Sequence, residues 1–235
     1  MKKLVLLMLT ALVLLTGCQK KAETYDGPLA RDNYPVARVS SKSDINWDSV
    51  VKAPIEIYKW TDSDKFPAYG QMVFVEGYGF VVKMCCLDEN PYVVYHKDGD
   101  PVYQDSAMEF YIMLSKKGYL NFETNSVGAR LQEFGYNNEI RNSVFEKIPE
   151  GFAAKAGREG KFWTVTIDIP VEQLQVYYPE VSAETFASGY EFTGNFYKIG
   201  TNQKTHRAHY GMWHVVNAPA PNFNLPKYFG KFTME

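Results

Sequence analysis

Apolar and polar positions alternate with period two over short runs separated by turn residues, and helix-period patterns are scarce. The alternation predicts strands over IEIYKW (55–60), QMVFVEG (71–77), GFVVKMCCL (79–87), MEFYIML (108–114), YLNFETN (119–125), FWTVTIDI (162–169), YEFTGNFYKI (190–199) and YGMWHVV (210–216). A short helix is predicted over VEQLQVYY, directly after Pro170, because proline suits a helix start. SAETF, 182–186, predicts a further helical turn. Many short strands with few helices give an all-β fold, an antiparallel β-sandwich of jelly-roll type, in a single domain over residues 37–235.

The run VYQDSAMEFYIML, 102–114, carries the most information. Read as a strand, it places Ser106, Met108, Phe110, Ile112 and Leu114 on one face. The other face carries Asp105, Ala107, Glu109, Tyr111 and Met113. Ser-Lys-Lys-Gly joins this strand to 119–125 in a hairpin. The expected register pairs Ile112 with Phe122, Tyr111 with Glu123 and Glu109 with Asn125. A slide by two would oppose Glu109 and Glu123, two like charges, at an energetic cost. Either way one face presents acids, an amide and a tyrosine together. Trp163 alternates with Val165, Ile167 and Ile169 and is expected in the core.

Tyrosine leads the aromatics, with 17 Tyr, 15 Phe and 4 Trp. Rings sharing a face with carboxylates and amides suit sugars. A pyranose offers apolar C–H faces to a ring and a rim of hydroxyls to fixed donors and acceptors. The bland alternative is the solvated face of a sheet. Nucleic acid is not an expected partner, since no basic stripe is present. Cys85 and Cys86 are neighbours, too close for an unstrained disulfide, and read as two small strand side chains facing opposite ways. With no CxxC and no HExxH, no transition-metal site is expected.

The N-terminus stands apart. Met1-Lys2-Lys3 precedes an apolar run, Leu4 to Leu15, too short to span a bilayer. Leu15-Thr16-Gly17-Cys18 then resembles a bacterial lipoprotein signal, which implies removal of 1–17, acylation of Cys18 and attachment to the membrane. The mature chain would hold 218 residues, with 23 basic against 27 acidic. Polar, turn-rich residues up to 36 read as a tether. A lipid-anchored place in the cell envelope, at the outer membrane, is the expectation.

VYQDSAMEFYIML followed by YLNFETNSVGARL, then FTGNFYKIG, HYGMW and the ending PAPNFNLPKYFG, resembles family 9 of the carbohydrate-binding modules over about Ile45 to Phe232. The resemblance implies a β-sandwich that binds sugar chain ends, often between two aromatic rings. It makes Tyr103 one ring, where the family often has tryptophan, and Trp213 the other. Glu109 becomes an acceptor for hydroxyls, with Arg130, Asn195 and Lys198 as further polar contacts. Relatives often carry histidine where this chain has Asn224. His209 and His206 read as solvated loop residues. No cofactor is implied, although structural calcium could be held at 88–90 or at Asp98-Gly-Asp100, as in some relatives. Neither has EF-hand spacing, which favours turns.

Non-catalytic carbohydrate binding is therefore the expected function, with a glycoside hydrolase as the alternative and a ligand-free structural lipoprotein as the third reading. Asp105 and Glu109, at i and i+4 on a strand, would stand about 13 Å apart. Paired glycosidase carboxyls lie roughly 5–9.5 Å apart, so that pair fits hydrolysis badly, and Glu123 is the nearest other partner.

Overall fold

Strand β1 (Asn33–Val39) begins inside the stretch expected to be tether, because Tyr34 and Val36 alternate into the core and are fully buried. The computed structural model describes residues 25–61, 64–135, 141–143, 153–202, 204 and 207–235. The signal segment 1–17, Cys18 and His206 lie outside the described residues. Four short to medium strands follow β1: β2 (Ala53–Ile55), β3 (Ile57–Tyr58), β4 (Ala68–Val75) and β5 (Gly79–Cys86). Next come β6 (Ala107–Ser115), β7 (Gly118–Asn125), β8 (Arg130–Gly135) and β9 (Arg141–Ser143). The rest are β10 (Ala153–Glu159), β11 (Phe162–Pro170), β12 (Glu191–Gly200), β13 (His209–Met212) and β14 (Gly230–Met234). Helix α1 (Val171–Tyr177) follows Pro170, and Ala183–Phe186 forms a 3-10 turn, both where the sequence predicts them.

The strands hydrogen-bond in the order β10-β11-β5-β4-β1-β14-β12-β6-β7-β8-β9. The all-β expectation holds, but the sheet is mixed. β1 runs parallel to both β4 and β14, while the other described pairs are antiparallel. Alternation reports which face a residue takes and not which way a neighbouring strand runs, so this insertion left no mark in the sequence. β1 thus joins two halves that face each other across the main core. One half supplies Phe74, Phe80, Val82, Trp163 and Ile167; the other supplies Phe110, Phe122, Phe196 and Phe232. Each such side chain contributes about 1.5–3 kcal/mol on burial.

The β6–β7 hairpin corrects the expected register. Glu109 lies opposite Glu123, Phe110 opposite Phe122 and Ile112 opposite Leu120. The ladder shifts between Ile112 and Ser115 before closing at Ser115–Gly118. Gly118 takes φ +138°, where a Cβ would come 2.8 Å from the Gly135 carbonyl oxygen. Asn125 is committed elsewhere: its amide donates to Tyr95 O and Asp105 Oδ2, both at 2.9 Å, and its Oδ1 accepts from Ala129 N at 3.0 Å.

The polar face of β6 and β7, which the bland alternative leaves to solvent, is instead covered. Tyr111, Tyr119, Tyr197 and Ile199 pack there against Tyr210 and Met212 of β13 and against Val216, Phe223 and Phe229 from the chain that follows. Glu109, Asn121, Glu123 and Asn125 are consequently buried. Cys85 and Cys86 are free thiols, buried, and burial pushes them up to about 11 and about 12. Thiols so held are poor nucleophiles.

Candidate functional site

Between this second apolar cluster and solvent lies a cavity of about 260 Å³. Its floor is Glu109 and Tyr111 from β6 and Glu123 from β7. Its walls are Tyr103, from the 3-10 turn Val102–Gln104, Ile199 and Thr201 at the end of β12, Tyr210 of β13, and the loop Pro221–Asn224. The volume sits just below the roughly 300–1,000 Å³ of sites for drug-sized ligands, which suits a small ligand.

Two of the walls, Tyr210 and the loop Pro221–Asn224, are fixed from behind. Phe223 stacks on Tyr197, with centroids 4.0 Å apart and planes 14° from parallel. Trp60 props Tyr210 edge-on at 5.8 Å and lies 5.9 Å from Phe223, and its indole N–H donates to Ala218 O at 2.9 Å. Asn224 Oδ1 accepts from the Tyr119 hydroxyl at 2.6 Å. Tyr111 stacks on Tyr119 at 5.5 Å. Aromatic pairs of this kind add about 0.5–1.5 kcal/mol beyond their burial.

On the floor, Glu123 Oε1 accepts from Asn121 Nδ2 at 2.7 Å and, at a long 3.4 Å, from the Tyr111 hydroxyl. Asn121 is itself held, its Oδ1 accepting from Glu133 N at 2.6 Å. Burial first, then the charges of Glu109 and Glu123, raise the Tyr111 phenol well above its ordinary value, so it stays a donor. The site therefore offers carboxylate acceptors beside protonated phenols, under flat rings. That combination suits a polyhydroxylated ring.

Of the six residues proposed for the site, the structure brings Tyr103 and Glu109 to the cavity. The other four lie elsewhere. Trp213 is corrected from stacking ring to core residue. It is 2% exposed, lies 5.3 Å from Phe232 and 6.1 Å from Phe196, and donates its indole N–H to Ala30 O at 2.6 Å. The ring of HYGMW that reaches the cavity is Tyr210, which points to the opposite face. Arg130 reaches Asp98, with Nε donating to Oδ2 at 2.9 Å, and is not part of the cavity lining. Asn195 ties β12 to the chain after β13: Nδ2 donates to His214 O at 2.8 Å and Oδ1 accepts from His214 N at 3.0 Å. Lys198 points into the main core between Phe66 and Trp163 rather than toward the cavity.

His209 corrects another expectation, since it is a buried strand residue and not a solvated loop one. Asp105 has no role in the cavity; its carboxylate accepts from Val94 N and Tyr95 N at 2.9 and 3.0 Å and from Asn125. Asp88 is engaged by Ser106 and Arg207, and Asp100 accepts from Lys97 N. Among the described residues no group of three or more His, Cys, Asp or Glu side chains is arranged to hold a metal ion. Sequence reasoning missed Tyr210, Phe223 and Asn222 as lining residues. The only available signal was that Tyr210 and Trp213, three apart on a strand, must face opposite ways.

Several solved structures share this fold. A candidate carbohydrate-binding protein from Bacteroides uniformis aligns with a TM-score of 0.71 at 19% identity, over 88% of this chain and all of the other. A family 9 carbohydrate-binding module from Caldicellulosiruptor kristjanssonii in complex with cellotriose aligns at 0.58 and 13% identity, over 86% of this chain and 93% of its own. The same organism's module in complex with glucose aligns at 0.55 and 13% identity, over 86% and 95%. Comparison with curated proteins finds no match. The sequence pattern of carbohydrate-binding family 9 matches residues 41–234, nearly all of the folded part. This chain therefore belongs to carbohydrate-binding family 9.

Proposed function

We propose that the protein binds carbohydrate without acting on it, taking a sugar into the cavity between Tyr103, Tyr210 and Phe223, and that it does so as a lipoprotein anchored in the envelope through Cys18. The observation that carries this reading is the cavity itself. Aromatic walls and a carboxylate floor converge there from five separated parts of the chain. The rings receive the C–H face of the sugar while Glu109, Glu123 and Asn224 accept from its hydroxyls. The floor is already buried and held by Asn121 and Tyr111, so little ordering remains to be done on binding. The lipid anchor rests on the Leu-Thr-Gly-Cys signal and on its basic and apolar preamble.

Titration calorimetry of the folded domain against glucose, cellotriose and a panel of other oligosaccharides tests the proposal. Heat that saturates with at least one glycan, and is lost in Tyr210→Ala, is the expected result. A panel with no binding would sink it.

One observation favours hydrolysis as a second reading: Glu109 and Glu123 are directly opposed, and cross-strand partners have Cβ atoms about 4.5–5.5 Å apart, near the separation in retaining glycosidases. Both acids rise from one sheet face, however, and would meet a sugar from the same side. Turnover of an aryl glycoside that disappears in Glu109→Gln would establish this reading over the first.

A further inference from the structure

Behind the cavity wall lies a buried polar cluster that takes no part in the site described above. Lys198 is fully buried, and its ammonium donates three hydrogen bonds: to Ser106 Oγ at 2.9 Å, to Ile199 O at 3.0 Å and to His209 Nε2 at 2.7 Å. The histidine tautomer follows from its other side. Nδ1 lies 2.6 Å from Arg207 O, a carbonyl that can only accept, so Nδ1 carries the proton and Nε2 is the acceptor for Lys198. Ser106 passes the chain on, donating to Asp88 Oδ2 at 3.1 Å, and Arg207 donates to Asp88 Oδ1 at 3.1 Å.

The partners of Lys198 are placed by alternation. On β12 Lys198 points inward and its neighbour Ile199 lines the cavity. On β13 His209 points inward and its neighbour Tyr210 lines the cavity. Ser106 stands at the entrance to β6, three residues after Tyr103, whose carbonyl accepts from Thr201 N at 3.0 Å. One ammonium thus ties together the three segments that carry Tyr103, Ile199 with Thr201, and Tyr210.

We propose that Lys198, with His209 and Ser106, is a positioning cluster that sets the spacing of the cavity walls and so the affinity for sugar; this rests on the carbohydrate-binding reading above. A buried ionic cluster is a poor way to gain stability, since well-packed apolar replacements often do as well or better. Its directional bonds can instead fix relative position, and here the acceptors are the carbonyl of the lining residue Ile199, His209 beside Tyr210, and Ser106 three residues from both Tyr103 and Glu109. The ionisable groups around Lys198 are His209, Asp88, Cys86, Glu109 and Arg207. Burial lowers the lysine to about 8, within reach of ordinary buffers.

The test compares wild type with Lys198→Met by thermal unfolding and by calorimetry with cellotriose and glucose, between pH 6.5 and 9.5. Methionine keeps the stem and removes the charge. The expected result is a lower melting temperature, because the buried acceptors on His209 and Ser106 lose their donor, with affinity of the folded variant about tenfold weaker. Wild-type affinity falls above pH 8, where one of the three donated bonds is lost, and the affinity of the variant does not. Wild-type affinity in Lys198→Met with the same pH profile would overturn the inference and leave carbohydrate binding standing. Should that variant not fold, Ser106→Ala removes a single acceptor, and unchanged affinity there would overturn the inference equally. A wild type that binds no sugar removes the carbohydrate reading and this one with it.

Discussion

Glu109 and Glu123 face each other across the β6–β7 hairpin, both buried at the floor of the cavity. Opposed like charges are unfavourable on a sheet, yet this register is the one adopted. The alternative would draw Asn125 out of the loop it anchors through Tyr95, Asp105 and Ala129.

Hydrogen bonds to a charged acceptor contribute about 1.5–3 kcal/mol. Glu123→Gln and Glu109→Gln should therefore each weaken sugar binding by about tenfold or more, while the melting temperature stays level or rises as the like charge is removed. Calorimetry with thermal unfolding on the same samples reads both. Affinities within twofold of wild type in both variants would remove the carboxylates from the site.

The rings of HYGMW should separate binding from stability. Tyr210→Ala strips a cavity wall and should cut affinity at least tenfold, with a small loss of stability. Trp213→Ala should behave in the opposite sense, losing about 3–5 kcal/mol of stability as a large core ring is deleted. Denaturant unfolding of the two variants distinguishes them. A stable Trp213→Ala that fails to bind would restore the tryptophan to the site.

How legible this was can be traced residue by residue. Alternation placed Glu109 and Tyr111 on one face, and the structure keeps them there. It also implied that Tyr210 and Trp213 oppose each other, without saying which side is inside. That choice is made by residues 216–229, which cover the outer face of β6, β7 and β12. Beyond Val216 this stretch is proline-rich and without period, and no element is predicted there. Lys198 alternates with the core residue Phe196, a hint that it points inward. The general rule that lysine is almost never fully buried argued against it. Only acceptors from distant segments, Ser106 and His209, make that burial possible. Arg130 was misplaced for a similar reason, its partner Asp98 lying 32 residues away.

Gly194 is a point where fold and site meet. It sits opposite Ile112 in the β12–β6 ladder, and a Cβ there would come 2.3 Å from Tyr111 O and 3.2 Å from the Phe232 ring. The nearer clash is with backbone, so β12 and β6 must part. Gly194→Ala should cost about 1–3 kcal/mol, as overpacking does, and should weaken sugar binding because Tyr111 belongs to the floor. Urea unfolding and calorimetry would show both losses; a neutral substitution would mean that the strands separate more freely than their packing implies.

His209 should make the fold acid-sensitive. Burial above all, and then the neighbouring charge of Lys198, lower it from 6.5 to about 2. The unfolded chain therefore binds a proton at this residue below about pH 6.5 that the folded chain refuses. Stability conferred by the neutral ring is complete above that value and declines as pH falls, by at most about 1.4 kcal/mol for each pH unit. Glutamine cannot titrate and still offers an oxygen to Lys198. Stability curves of wild type and His209→Gln, measured by urea unfolding from pH 7 to 4, should converge as pH falls, the wild type losing its advantage of a neutral, well-fitted imidazole. Curves that stay parallel through that window would show that His209 takes up its proton equally in both states, and that the ammonium at 2.7 Å does not keep it neutral.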